Sequence, residues 1–282
     1  MKKYAIIGLA ALLVSAPLAA CDNGGDETVA REIPVPSAPA EETVEELLPA
    51  LPALPEEPAV SEEPAVPAAP ARAEYIFVRA NGLNVRSGAG TSYGSLGQVE
   101  SDILLHYDGT EGDWHRTYYR GKTAYVSAKE QYTSLAYLNE GEARVESVIA
   151  EGLKVLGVPY VYGATRLHDG KGNRLKGFTT AQFDCSSLMQ YIFFEGAGVL
   201  LDMNTRTQIK QGKAVAKDDL QRGDLMFFTN ASRKNNTGIE RVGHVALYLG
   251  NNYILHTASD YAKIEQISAT RWSYFIEARR VL

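Results

Sequence analysis

Phe183-Asp184-Cys185-Ser186-Ser187-Leu188-Met189-Gln190-Tyr191-Ile192-Phe193-Phe194 carries one of the two cysteines in a chain of 282 residues, at the head of an apolar run. Leu188, Tyr191 and Ile192 recur at helical spacing and Met189 and Phe193 fill the neighbouring stripe, so the stretch reads as a buried helix. Asp184 and the two serines suit its first turn, and Gly196 suits its stop. Cys185 then sits where unpaired backbone N–H groups and the positive end of the helix dipole favour a thiolate. Most free cysteines are small core hydrophobes. What argues otherwise here lies downstream, at two histidines.

A working thiol needs a base beside it and a third group that orients the base. Of the five histidines, His106 and His115 fall in an upstream β segment and His168 in a Gly- and Lys-rich polar insert, 166–180. His244 and His256 remain, one on each strand of a predicted hairpin, Val242–Leu249 and Tyr253–Thr257. If Gly250-Asn251-Asn252 is a three-residue loop, Leu249 pairs with Tyr253 and His244 lies opposite Ala258. His256 then shares the His244 face one diagonal step away, roughly 7–8 Å at the backbone and within reach of two imidazoles. A two-residue loop would put the rings on opposite faces. Around this hairpin, residues 140–282 read as an amphipathic helix (Val145 to Leu156, stopped by Gly157), the Cys185 helix, a short helix opened by Asn204, and then strands. Those strands are Asp224–Phe228, the hairpin, Lys263–Ile267 and Phe275–Val281. Helices first and hairpin-linked strands after make an α+β domain with an antiparallel sheet.

The other end of the chain is of a different kind. Met1-Lys2-Lys3 and the apolar run Ala5 to Ala16 have the regions of a secretory signal, too short to span a bilayer comfortably. Leu18-Ala19-Ala20-Cys21 resembles the lipobox of bacterial lipoproteins, which implies cleavage after residue 20 (signal segment 1–21) and lipidation of Cys21, hence an exported, membrane-anchored envelope protein. With Cys21 lipidated, Cys185 has no disulfide partner. Residues 22–73 hold ten of the twelve prolines, twelve acidic and two basic residues. Such a Pro/Glu/Ala segment is expected to be disordered and semi-extended, reaching on the order of 150 Å at about 3.1 Å per residue. The acidity of the chain therefore belongs to the tether. No basic stripe with interleaved aromatics marks a nucleic-acid partner.

Residues 74–134 read as short strands between turn clusters, the pattern of a small all-β barrel. Leu83-Asn84-Val85-Arg86-Ser87-Gly88 with Thr91-Ser92-Tyr93, Trp114 and Gly121-Lys122-Thr123-Ala124-Tyr125-Val126-Ser127 resembles the bacterial Src-homology-type (SH3b) barrel. That resemblance implies binding of cell-wall glycan or peptide, or positioning of a neighbouring catalytic domain, with Tyr93, Trp114 and Tyr118 as a contact surface or as core.

In the C-terminal segment, Pro159-Tyr160-Val161-Tyr162-Gly163-Ala164, Phe183-Asp184-Cys185-Ser186-Ser187, Arg222-Gly223-Asp224-Leu225-Met226-Phe227-Phe228, Gly243-His244-Val245-Ala246-Leu247-Tyr248 and Ile254-Leu255-His256 follow one another in the order of the NlpC and p60 type of papain-like cell-wall cysteine endopeptidases, which the segment resembles. The resemblance implies a papain-like fold with Cys185 as nucleophile, His244 as base and His256 as orienting residue. It also implies cleavage of peptidoglycan stem peptides, typically between γ-D-glutamate and the diamino acid. Tyr160 and the Cys185 N–H are expected at the oxyanion, and Asp184, Ser186 and a cation, Arg206 or Arg166, at the substrate. Ser187 stands where the family has Gly, and Tyr162-Gly163-Ala164 where it has Trp-Gly-Gly. An amidase or acyltransferase using the same triad, a non-catalytic wall tether, and a zinc site from Cys185, His244 and His256 are the other readings. The close-spaced ligand pairs of structural zinc sites are missing, so no metal and no cofactor are expected. Nothing in the sequence calls for more than a monomer.

Overall fold

The computed structural model describes residues 71–282. The signal segment, Cys21 and nearly all of the expected linker 22–73 lie outside the described residues. The first strand begins at Arg72, inside that expected linker.

The N-terminal half is all strand: β1 (Arg72–Val78), β2 (Leu83–Arg86), β3 (Ser95–Val99), β4 (Ile103–His106), β5 (Thr110–Glu111), β6 (Trp114–Tyr119), β7 (Lys122–Ser127) and β8 (Thr133–Asn139). The C-terminal half adds α1 (Ala143–Lys154), α2 (Cys185–Ala197), α3 (Thr205–Gln208), β9 (Lys213–Val215), β10 (Leu225–Phe228), β11 (His244–Gly250), β12 (Tyr253–Thr257), β13 (Ala262–Gln266), α4 (Ala269–Ser273) and β14 (Phe275–Arg280). Two antiparallel sheets result, one of nine strands in the order β8-β1-β4-β13-β12-β11-β10-β14-β9 and one of five, β3-β2-β7-β6-β5. The α+β class with an antiparallel sheet and a small β barrel ahead of it is what the sequence implies. β5, β8 and β9 are not among the expected strands, and β5 falls in a stretch expected as a turn cluster. In β8 the burial alternates around exposed Leu135 and Tyr137, which makes its pattern weak as a strand signal.

The barrel and the helical half share the long sheet. β13 pairs with β4 through Ile264–Leu104 and Glu265–Ile103. An unpaired β13 would leave a row of open backbone donors and acceptors, and β4 covers it. The join is dense elsewhere too. Gly157, at φ +80°, runs so close to the buried Tyr119 ring of β6 that a Cβ there would lie 2.2 Å from it, a position only glycine fills. Arg120 donates from its backbone to Leu156 and from Nε to the Gly157 carbonyl, at 2.7 and 2.9 Å. Arg222 donates to the Tyr75 hydroxyl at 2.8 Å while paired with Glu146 at 2.7 Å.

α2 lies at the centre of the helical half, with Leu188, Met189, Ile192 and Phe193 fully buried. Truncating one such leucine to alanine costs about 2–5 kcal/mol. The helix starts at Cys185 as its sequence implies, but the expected stop at Gly196 is corrected: α2 runs to Ala197 and Gly198, in the left-handed conformation, caps it. Gly196 serves the crossing with α1 instead. A Cβ there would meet the Val148 backbone at 2.6 Å, so the absent side chain lets the two helices touch.

Candidate active site

Asp184 caps α2. Its Oδ1 accepts from the Ser187 N–H at 2.8 Å, and the Ser187 hydroxyl accepts from the Asp184 N–H at 2.9 Å. This reciprocal pair satisfies backbone donors at the helix start, so Ser187, the departure from the family's Gly, is part of the cap. Cys185 is thereby fixed at the first helical position. It lines a groove of about 510 Å³ with Tyr160, Arg166, Arg206, Arg233 and Gly243 among its walls. The backbone N–H groups of Val245 and Ser186 favour the charged form of its sulfur. Val245 follows His244 at the start of β11, and α2 packs on that strand.

The expectation of a resting thiolate is corrected. Burial pushes the Cys185 thiol up to about 12, the Asp184 charge adds to this, and the Val245 and Ser186 N–H groups with Arg166 offset only part. Desolvation disfavours the charged form more than one helix end favours it. His244 is likewise held neutral: burial moves it well below its ordinary value, and His256 and Arg271 push the same way. Burial thus shifts each of the two groups toward its neutral form.

His244 Nε2 and His256 Nδ1 lie 3.0 Å apart in a hydrogen bond, the rings nearly perpendicular. The hairpin that brings them together is made differently from the three-residue loop expected. Its loop is Asn251-Asn252, both at positive φ, and a bulge between Tyr248 and Gly250 adds the missing residue to β11. Beyond the bulge, Leu247 faces Leu255, and continuing that register sets Ala246 opposite His256 and His244 opposite Ala258. A two-residue loop alone would have separated the rings; loop plus bulge restores the shared face.

Arg166 is a clamp. Its guanidinium donates to the carbonyls of Met203 and Ala164 and to Ser186 Oγ, and lies 2.9 Å from Asp184 Oδ2. Ser186 Oγ in turn donates to Asp184 Oδ1 at 3.0 Å, and the Gly163 N–H reaches Oδ2. Asp184 and Ser186, expected as substrate contacts, both line the groove, and their buried polar atoms are engaged in this network. Arg206 does reach the groove. With Arg233, which sequence reasoning did not single out, it shares the exposed carboxylate of Glu240, at 3.3 and 3.2 Å. Tyr160 is tied beside the nucleophile by its bridge to Phe183. Burial, then the Cys185 and Asp184 charges, push its phenol up to about 12, so it remains an O–H donor. Of the expected barrel surface, Tyr93 is half exposed, Trp114 lines a second cleft, and Tyr118 stacks on His106.

Behind the imidazoles stands a group the sequence did not flag. Glu265 Oε1 lies 3.1 Å from His256 Nε2, close enough for an ion pair though off the line of an ideal hydrogen bond. Arg271 and Lys263 flank the same carboxylate at 2.8 and 3.4 Å. Period-two alternation puts Lys263 and Glu265 on one face of β13, but only the register with β12, in which Lys263 opposes His256, aims that face at the histidine.

The sequence that builds this site matches known families. The NlpC/P60 family matches residues 157–280, and the bacterial SH3 domain matches residues 81–131. Residues 157–280 form an NlpC/P60 domain. The SH3 match covers strands of the barrel ahead of it. The chain is similar to the peptidoglycan endopeptidase RipA of Mycolicibacterium smegmatis, 36% identical over 116 residues, or 41% of this chain and 21% of that protein. A γ-D-glutamyl-L-lysine dipeptidyl-peptidase of Bacillus subtilis is 28% identical over 157 residues, 56% of this chain and 47% of that one. The murein DD-endopeptidase/LD-carboxypeptidase MepS of Escherichia coli is 37% identical over 111 residues, 39% and 55% of the two chains. The chain thus spans between about a fifth and about a half of the length of these relatives.

Proposed function

We propose that the protein is a cysteine endopeptidase of the bacterial cell wall that cuts the peptidoglycan stem peptide, at the bond between γ-D-glutamate and the diamino acid. The observation that carries this reading is the Cys185 thiol lining a groove at the start of α2, with an imidazole pair hydrogen-bonded at 3.0 Å on β11 and β12, the strands that α2 packs against. Its support from relatives is that they are named as peptidoglycan or murein peptidases, the Bacillus subtilis protein for the γ-D-glutamyl–lysine bond.

In this mechanism His244 Nδ1, the ring nitrogen that His256 leaves unused, takes the thiol proton as the sulfur attacks the stem-peptide carbonyl carbon. The C–S bond forms and the carbonyl π pair moves to oxygen, where the Cys185 N–H and the Tyr160 hydroxyl stabilise it. His244 passes its proton to the leaving amine as the C–N bond breaks, giving a thioester and a free amino group. Water then attacks, giving its proton to His244. The C–S bond breaks, the acid leaves and the thiol is restored. Because both groups begin neutral, proton transfer belongs to the attack rather than to a preformed ion pair. Arg206 and Arg233 supply positive charge for the carboxylates of the stem.

The lipobox-like Leu18-Ala19-Ala20-Cys21 supports export and anchoring in the membrane by lipid on Cys21, with the proline-rich tether carrying the enzyme toward the wall. An amidase or transferase with the same triad, and a tether without activity, make different products. Mass spectrometry of peptidoglycan digested by the wild type beside Cys185→Ala tests the reading. New amino termini on the diamino acid, absent with the variant, are expected. Free lactyl-linked glycan, cross-link cleavage alone, or no wild-type product would replace it.

A further inference from the structure

His256 Nε2 is fully buried, and the acceptor facing it is Glu265 Oε1 at 3.1 Å. Were that nitrogen unprotonated, its lone pair would sit 3.1 Å from a carboxylate oxygen inside the protein, an uncompensated repulsion. The carboxylate is ionised there: burial by itself would raise Glu265, but the His256 contact and the charges of Arg271 and Lys263 outweigh it and hold the carboxyl well below its usual range. The proton of neutral His256 therefore belongs on Nε2, which makes Nδ1 an acceptor. The 3.0 Å bond to His244 then has one donor available, His244 Nε2–H. One tautomer dictates the next.

We propose that Glu265 is a positioning residue that sets the proton on both imidazoles through His256, holding each as the Nε2–H tautomer so that Nδ1 of His244 is left as the base. The consequence for chemistry rests on the endopeptidase reading; the tautomers themselves do not. Every charged group facing the pair belongs to the same arrangement. Arg271 and Lys263 flank Glu265, and Asp260 at 2.7 Å and Glu100 occupy the other side of Lys263.

Long-range 1H–15N correlation spectra of protein labelled with 15N-histidine read the tautomers directly and need no substrate. Both His244 and His256, assigned by the peaks lost in their Ala variants, are expected as Nε2–H; an Nδ1–H signal for His256 overturns the proposal whatever the substrate is. In Glu265→Ala, His256 is expected to redistribute toward Nδ1–H. Its kcat on stem peptide is expected to fall about ten- to a hundredfold at unchanged KM, the range that outer partners of a working histidine command. Glu265→Gln keeps a carbonyl acceptor and is expected to restore the wild-type tautomers and most of kcat. An Ala variant with wild-type spectrum and kcat, or a Gln variant no better than Ala, overturns the assignment.

Discussion

At the scale of single residues, the site trades charge for readiness. Its thiol and both imidazoles are neutral in the resting state because burial outweighs every local charge that would ionise them. In the proposed mechanism His244 serves as base only while unprotonated. A His244 lowered from its ordinary value near 6.5 stays unprotonated into acid, despite the opposing pull of Glu265. The acid limb of the kcat/KM profile is therefore expected below pH 6.5, and a limb at or above that value would speak against a buried neutral base. Arg166→Met removes the guanidinium from a pair that is mostly out of water, with side chains 16% and 6% exposed, and strands the Asp184 carboxylate. A loss of about 3–5 kcal/mol is expected in urea unfolding at neutral pH. The Cys185, His244 and His256 types were legible in sequence because nucleophile and base chemistry needs few residue kinds. The Arg166 clamp and Glu265 were not, since a charged side chain reads as solvated surface until the partner strand's register is known.

At the scale of elements, the hairpin joining β11 and β12 shows where sequence reading stops. Apolar alternation located both strands to within a residue or two, and a shared face for the two histidines followed from the assumed loop. The true construction has a shorter loop and a bulge, two changes that cancel in register. Alternation alone does not report such compensation, because a bulge leaves the polar pattern on either side intact. Asn251 and Asn252 sit at φ +47° and +66°, a region asparagine tolerates and β-branched residues do not. Asn251→Val is expected to cost about 1–3 kcal/mol and Asn251→Gly close to nothing. Denaturant midpoints of the two variants check this, and equal midpoints would remove the strain from the account. The end of α2 teaches the complementary lesson. Gly196 and Gly198 are both plausible stops in sequence, and only the contact of Gly196 with the α1 backbone tells the packing glycine from the capping one.

At the scale of the whole molecule, the described residues form one mechanical body. The β4–β13 pairing carries one sheet from the SH3 strands through to the strands of both histidines, and Lys263 bridges Glu100 of the barrel to Glu265 behind His256. Residues 71–282 are accordingly expected to unfold in a single calorimetric transition, with calorimetric and van't Hoff enthalpies equal; two resolved transitions would mean that the pairing across β4 and β13 is energetically minor. Two domains were readable from turn spacing and motif order, but their fusion was not, because which edges meet is decided by strands far apart in sequence. The join has a consequence for recombination. An SH3 cassette from a different protein could not simply be spliced in front of this C-terminal half. The donor would have to bring a strand in step with Ile264 and an acid for Lys263, so the two halves should travel through evolution as a matched pair.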